Sequence, residues 1–509
     1  MPKSCTMINP SHLAISDSRS GGFFVVQTII VIMTIGIVVG LITNVVSPSI
    51  AWIILAILSA MQIFHELKCD ERGFLLSPVF LLAVVTLIIF SILPNLVVNT
   101  FGMFNQLELI GDSLLGRPAR PDQSARPDSL DYLGSRGESL ILLFCASGLV
   151  IHCFLITLIG KDKSESRTAY KITDRRPLFL YGISTLLCVL FLIQTQFPVF
   201  GPSVTSTLQT IFSPIQSFLL LFLLNSAVVH RHLRVFVVML LIVAVTGVMV
   251  LASSGKIPAF MVLSAFIYYI VIQRLPFLQI LKVIVLCSVT LLLLIQAAQI
   301  VRLPHASIAN PDKQLESRSG TYSLQSYSPR NVLQNSGEVL AAKLVWRQME
   351  TGYCFDKAVE KHGDQKLDIF RQTFWLEILV PRIIWRDKPN FSLGGKYKSD
   401  YCGIKGESAH SSSITLLGQP VTHGGMAGLI MHGTLLLLFL GVVSGFSCYT
   451  PGLCRIAVFA LLPWWIDFDQ DFALYIGNLA KFGLFMAPFI IFSSDRVIRR
   501  SGKTFTFPR

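Results

Sequence analysis

The sequence predicts an all-α integral membrane protein of about 12 transmembrane helices with one large, partly helical extracytoplasmic loop. Three observations carry this. First, the 509 residues are 52% hydrophobic and only 14% charged, with a mean hydropathy of +0.63, and soluble domains of ordinary size cannot hide that much apolar surface. Second, apolar runs of roughly 20 residues recur between charged breaks, the length that crosses a hydrocarbon core of about 30 Å. Third, Lys and Arg are unevenly distributed between alternate loops, as they are in chains oriented by the positive-inside rule.

Taken in order, residues 1–22 form a polar segment expected in the cytoplasm. They lack a cleavable-signal pattern, because the apolar run behind them is too long for the core of a signal peptide. Expected spans at 23–46, 49–64, 74–97, 138–160, 178–197, 207–229, 234–252, 257–273 and 278–300 make a nine-helix membrane region over 23–300. Three more at 425–446, 454–466 and 472–492 make a second region over 425–492. The eleventh is short and contains Pro463, which predicts a break or a tilt. An even number of spans puts both termini on one side. With that side inside, the inner segments hold nearly half of the 42 basic residues, including the 493–509 tail, and the short outer loops hold only Lys256. The net charge of +13 therefore reflects topology and gives no reason to expect a nucleic-acid partner.

Two outer connections are long. Residues 98–137 contain GRPARPDQSARPD, which has no apolar periodicity and reads as a flexible extracytoplasmic loop. Its Arg117, Arg120 and Arg126 can still attract an anion. Residues 301–424 form the large extracytoplasmic loop and the candidate active site. Its first part is rich in Ser, Asn and Pro and reads as irregular. The spacing of Val339, Leu340, Leu344, Val345 and Trp346 predicts an amphipathic helix ending near Arg347. Leu367, Ile369, Phe370, Phe374 and Trp375 predict a second one over 365–379. Pro381 breaks it and Pro389 ends the turn that follows.

The chemistry concentrates in VPRIIWRDKP, residues 380–389. If 382–388 makes one helical turn, Arg382 and Arg386 share a face and can grip one pyrophosphate together. Arginine suits this because its planar donor fork matches phosphate oxygens and stays charged. Lys388, Lys396, Lys398 and Lys405 add to the local excess over Asp387 and Asp400, and Trp385 adds an indole to the candidate groove. Contact with anionic lipid head groups, or pairing of Asp387 with Arg386 or Lys388, explains the same residues more plainly. Downstream, His410 and a serine run lead to GQPVTHGG, where Gly425 and Gly428 let a substrate or a backbone approach the positive end of a helix dipole. Small residues also serve ordinary packing between membrane helices.

Lys481 falls at mid-depth of the last span, where an ionisable group is costly and often functional, and it too is a groove candidate. Asp467, Asp469 and Asp471 read as a solvated turn, with sugar binding as the alternative. Of ten cysteines, Cys354 and Cys402 fall in the large outer loop, where an oxidising compartment allows them to pair; two unrelated thiols are the alternative. No Cys or His spacing suggests a metal, and no cofactor is expected.

The motif Pro381-Arg382-x-x-Trp385-x-x-Lys388-Pro389 in a late outer loop, followed by a Ser/Thr-rich run and Gly425-x-x-Gly428, resembles the O-antigen polymerase or oligosaccharide repeat-unit polymerase family. The resemblance covers about 340–435 in motif and the whole chain in topology. It implies a glycosyltransferase of the bacterial cytoplasmic membrane that builds a surface polysaccharide or exopolysaccharide. Its donor would be a glycan on undecaprenyl pyrophosphate, its transfer inverting and metal-independent. Partners implied are the lipid-linked oligosaccharide, membrane lipids, a flippase and a chain-length regulator. Arg347, Arg382, Arg386 and Lys388 are then expected to hold the pyrophosphate. His423, His410 and Asp387 are the candidates for the base that the incoming hydroxyl requires. Members often place an acidic residue after the glycine equivalent to Gly418, and this chain has Gln419. A ligase uses the same donor chemistry with another acceptor. A lipid-linked oligosaccharide flippase is disfavoured by spans nearly free of charge and by the absence of an internal repeat.

Overall fold

A computed structural model describes residues 11–68, 77–96, 132–159, 186, 214–225, 227, 237–246, 257–273, 275, 278–290, 293, 348–349, 351–368, 370–380, 385, 397, 400–401, 414–449 and 452–484. Among them the regular structure is helical and no strand occurs. Five helices are long and apolar enough to cross a membrane: they contain Val25–Ile42, Pro48–Leu67, Pro78–Leu96, Arg136–Leu158 and Thr415–Gly445. Shorter apolar helices cover Pro214–Asn225, Val237–Thr246, Phe260–Val271, Leu278–Thr290 and Phe472–Leu484. An α-helical membrane protein is thus what the chain builds, with described helices inside eleven of the expected spans; in the twelfth, 178–197, only residue 186 is described.

The first helix, α1 (Ser11–Ile42), shows why these segments suit a bilayer. Ile30, Thr34, Ile37 and Leu41 are buried on one face, while Val25, Ile29, Ile32 and Val39 are exposed on another. Both faces are apolar because lipid, not water, meets the outer one. The second helix, α2 (Pro48–Lys68), repeats the pattern with Leu55, Leu58, Ser59, Gln62 and Glu66 inside and Ile50, Ile53, Ile57 and Phe64 outside. Its last turn passes the expected end at residue 64 and brings Glu66 into the bundle.

Helix α3 (Pro78–Leu87) starts on a proline whose missing N–H costs nothing at that position. The hydroxyl of Ser444 accepts from the next amide, that of Val79, at 3.3 Å. A π-helical turn over Ile88–Ile92 then carries the helix on to residue 96. Helix α4 (Arg136–Ile159) opens on Ser135-x-x-Glu138. Ser135 Oγ accepts from the Glu138 amide at 3.1 Å, and the Glu138 carboxylate reaches back to the Gly134 amide at 2.6 Å, a variant of the capping box. Gly134 makes that turn possible with φ of 85°.

Helices α5 (214–225), α6 (237–246), α7 (Ile257–Gln273) and α8 (278–290) follow. Outside the long spans lies α9, over 351–362, succeeded by two 3-10 turns at Phe370–Thr373 and Glu377–Leu379. These turns replace the amphipathic helix expected over 365–379. The reason is that the chain here crosses the face of another helix, and its Gln365 and Gly363 carbonyls turn to that helix instead of closing bonds along their own.

That other helix is α10 (Thr415–Tyr449), and it begins ten residues before the expected span start at Gly425. It is two helices joined at a break, with Gly424 at φ −152°, ψ 21° and Gly425 at φ 60°, ψ −153°. The Met426 amide, first of the second half, donates to the Gly363 carbonyl at 3.0 Å. The eleventh expected span is broken, as Pro463 suggested, into α11 (Gly452–Ala460) and the single turn Leu462–Trp465, before α12 over 472–484. Beyond the break α10 runs parallel to α4: a β-carbon on Gly441 would touch Ile151, and one on Gly148 lies near Leu437. The core therefore has two ends. One gathers the starts of α4 and α10 with α9, and the other gathers the ends of α2, α4 and α10 with the start of α3.

Candidate polar site at the α10 break

At the first end, α9 is tied to the membrane bundle. Asp356 accepts from the Gly137 amide at 2.7 Å, and Tyr132, fully buried, fills the place of any side chain at Gly352. Beside it Asn95 donates to Glu138 at 3.0 Å. Residues 132–137 and α9 thus meet the bundle on the same side.

The α10 break is occupied by protein. Next to Gly425 lie the carbonyls of His362, Gly363 and Gln365, and next to Gly424 and Gly428 lies the amide side chain of Gln372. Gln372 donates to the carbonyls of Asp368 and His423 at 3.2 and 3.0 Å. Phe374 lies flat on the His423 ring, with centroids 4.3 Å apart, and also packs against His432 and Phe472. The His432 ring nitrogens face the Gly428 and Gln372 carbonyls at 2.9 and 3.2 Å; a neutral ring has one N–H and can donate to only one of them. The glycines read as groove-lining thus admit the neighbouring backbone.

A second group of polar side chains lies alongside. The Gln419 side-chain carbonyl accepts from the Ala473 amide at 2.8 Å and the Leu416 amide donates to Phe468 at 3.0 Å, fixing the first half of α10 to the 467–473 turn. Asp467 and Asp471 in that turn are 2% and 3% exposed and Asp469 is half-buried, so two of the three acids are withdrawn from the solvated turn that composition suggested. Gln470 links Asp467 to Asn478, and Tyr475 donates to the Trp465 carbonyl at 2.9 Å. Into this group comes Tyr397 from the large loop. Burial pushes its phenol well above the usual range, Asp471 and Tyr401 push the same way, and the polar side chains of Gln419 and Thr422 nearby oppose them.

Tyr397 also joins Cys354, Ala358 and Ile414 in a small apolar cluster beside Tyr401. The Tyr401 hydroxyl and His362 Nε2 are 2.9 Å apart, and Lys361 sits over the Tyr401 ring. Cys354 is held in a disulfide.

Of the residues singled out by sequence, His423, Gly425 and Gly428 come together at the break, Trp385 is half-buried, and Lys481 is exposed on α12. Arg347, Arg382, Arg386, Asp387, Lys388, Cys402 and His410 lie outside the described residues. Sequence reasoning missed Tyr397, Gln419, Thr422 and Gln372. A lone tyrosine and three neutral polar residues carry no spacing signal, although Gln419 and Thr422 share one helix face with His423 beside them. Among the described residues no group of three His, Cys, Asp or Glu side chains is placed to hold a metal ion. Searches of protein-family models, curated proteins and solved structures find no match to this chain.

Proposed function

We propose that this chain is a polysaccharide polymerase of the bacterial cytoplasmic membrane, multi-pass with about twelve spans and both termini in the cytoplasm. It would extend a surface polysaccharide by passing a glycan from undecaprenyl pyrophosphate to a sugar hydroxyl of the next lipid-linked repeat unit. The observation that carries the reading is the meeting of Tyr397, Gln419, Thr422 and Asp471 at one end of an apolar bundle. Amides, hydroxyls and a carboxylate are what hold sugar hydroxyls, and they come here from three stretches distant in sequence. The basic run 382–405 brackets Tyr397, so cations for a diphosphate are carried by the same stretch of chain.

In the proposed step the acceptor hydroxyl oxygen attacks the anomeric carbon, and the bond from that carbon to the diphosphate oxygen breaks. The electron pair leaves with the diphosphate, where Arg347, Arg382, Arg386 and Lys388 neutralise it, and the hydroxyl proton passes to a base. His423, His410 and Asp387 remain candidates for that base, and Asp471 joins them because it stands with hydroxyl-binding side chains. The disulfide at Cys354 supports placing this end on the oxidising, outer face.

The test is the double variant Arg382→Ala, Arg386→Ala in a cell that makes the polymer. Polymer should disappear while lipid-linked repeat units collect on the outer leaflet. Collection on the inner leaflet would identify a flippase instead, and unchanged polymer would remove the guanidinium groups from the reaction.

A further inference from the structure

The other end of the bundle holds a second polar group, separate from the α10 break. On α2, Ser59, Gln62 and Glu66 recur at spacings of three and four on the inner face. Glu66 and His152 of α4 are both 0% exposed, and His152 Nε2 lies 2.7 Å from Glu66 Oε1. That same carboxylate oxygen accepts from Gln62 at 2.6 Å, and Cys153 Sγ lies 3.6 Å from the Gln62 carbonyl oxygen. Phe80 of α3 stacks on the imidazole at 4.2 Å. Two atoms are left over: Glu66 Oε2 and His152 Nδ1 are buried with no hydrogen-bond partner.

We propose that Glu66 and His152 form a proton-binding site inside the membrane bundle. Charge counting defines its two states. With a carboxylate and a neutral imidazole that donates from Nε2, the pair carries one net negative charge in an apolar surround, with bare lone pairs on both Nδ1 and Oε2. One added proton removes the net charge, whether it settles on Oε2 as a carboxylic acid or on the ring as an imidazolium facing a carboxylate. The two bare atoms are the places where it can arrive, supplied by water from the end of the bundle that α2 and α4 reach within two turns of the pair.

The surroundings leave the pair largely to itself. The apolar windows Val25–Ile42 of α1 and Pro78–Leu96 of α3 contain no acid or base. Helix α10 contributes His423 and His432, which lie toward the opposite end, and carries Cys448 and Tyr449 in its last turn. On α4 the remaining ionisable groups are Cys153, beside Gln62, Cys145, two turns toward the helix start, and Glu138 and Arg136, about 21 Å or more away at 1.5 Å per helical residue. On α2, His65 is half-exposed and Lys68 closes the helix.

The test uses the full chain in lipid nanodiscs with isotope-labelled glutamate and histidine, titrated from about pH 4 to about pH 9. Infrared spectroscopy reads the carboxyl and NMR reads the ring. The expected result is one shared step, in which both signals change at a common midpoint. Glu66→Gln should abolish the carboxyl change and move the His152 midpoint by about one pH unit or more, and His152→Asn should move that of Glu66 likewise. If either variant fails to fold, the other and the shared step in the unaltered chain still decide. Signals that stay constant across the range, or that change at separate midpoints indifferent to the partner's replacement, overturn the proposal and leave a fixed latch between α2 and α4.

Discussion

Gly425 shows most directly how one residue shapes the polar end. Its φ of 60° belongs to the left-handed region, and a β-carbon there would stand 2.4 Å from the Gln365 carbonyl oxygen. Gly425→Ala should therefore destabilise the protein by at least about 2 kcal/mol, read as a lower unfolding midpoint in detergent. Gly36→Ala on α1, with nothing within 4 Å, should change it by no more than about 1 kcal/mol in either direction. In the sequence Gly425 reads as a point of close approach, but backbone carbonyls from some sixty residues away look the same as a substrate when only the glycine is visible. His362 gives a second residue-scale expectation. Burial, reinforced by Lys361, holds its imidazole below the ordinary range, against a bond from Gln365. Folding thus favours the neutral ring. The stability this contributes is complete above the unfolded-state value and is lost as pH falls through the lowered folded-state value. Unfolding midpoints measured through mild acid should fall for the unaltered chain and fall less for His362→Gln.

Elements were legible where lipid demands them and illegible where partners from elsewhere decide. Apolar length alone located α1 to α4, because in a bilayer every backbone polar group must be satisfied within its own helix. It stopped α2 at residue 64, since Glu66 reads as a boundary charge; only its spacing from Gln62 and Ser59 hints that it belongs to an inner face. The same blindness made the spans look free of charge. Over 365–379 the apolar residues had the right spacing for a helix, yet α10 takes up the backbone there. Helix α9 depends on α4 in the same way, because Asp356 satisfies an amide in the first turn of α4 that has no partner within its own helix. Asp356→Ala should cost about 1 kcal/mol. Hydrogen exchange should quicken at Gly137 and across 351–362 together, whereas loss of protection at Gly137 alone would mean that α9 is held by its apolar contacts with Tyr132 and not by this bond.

At the scale of the whole molecule the contacts decide sidedness without fixing which side is which. Asp356 touching Gly137, and Gly363 touching Met426, require the start of α4, helix α9 and the break of α10 to lie at one face of the membrane. The parallel run of α10 and α4 then sends the ends of both, with Glu66 and the start of α3, toward the other. In the proposed topology that second face is the cytoplasmic one, a reading that rests on the Lys and Arg content of the expected inner segments, and the disulfide at Cys354 supports an oxidising first face. Single cysteines in a cysteine-free background provide the check. Arg136→Cys and Asp364→Cys stand at exposed positions and should both react with a membrane-impermeant thiol reagent added to intact cells. A cysteine within 493–509 should react only after the membrane is opened. If Arg136→Cys and Asp364→Cys were to label from opposite sides, the contact between Asp356 and Gly137 could not exist, and the polar group built on it would come apart. If both labelled only after permeabilisation, the fold would stand while the proposed transfer from an outward-facing lipid-linked donor would lose its place.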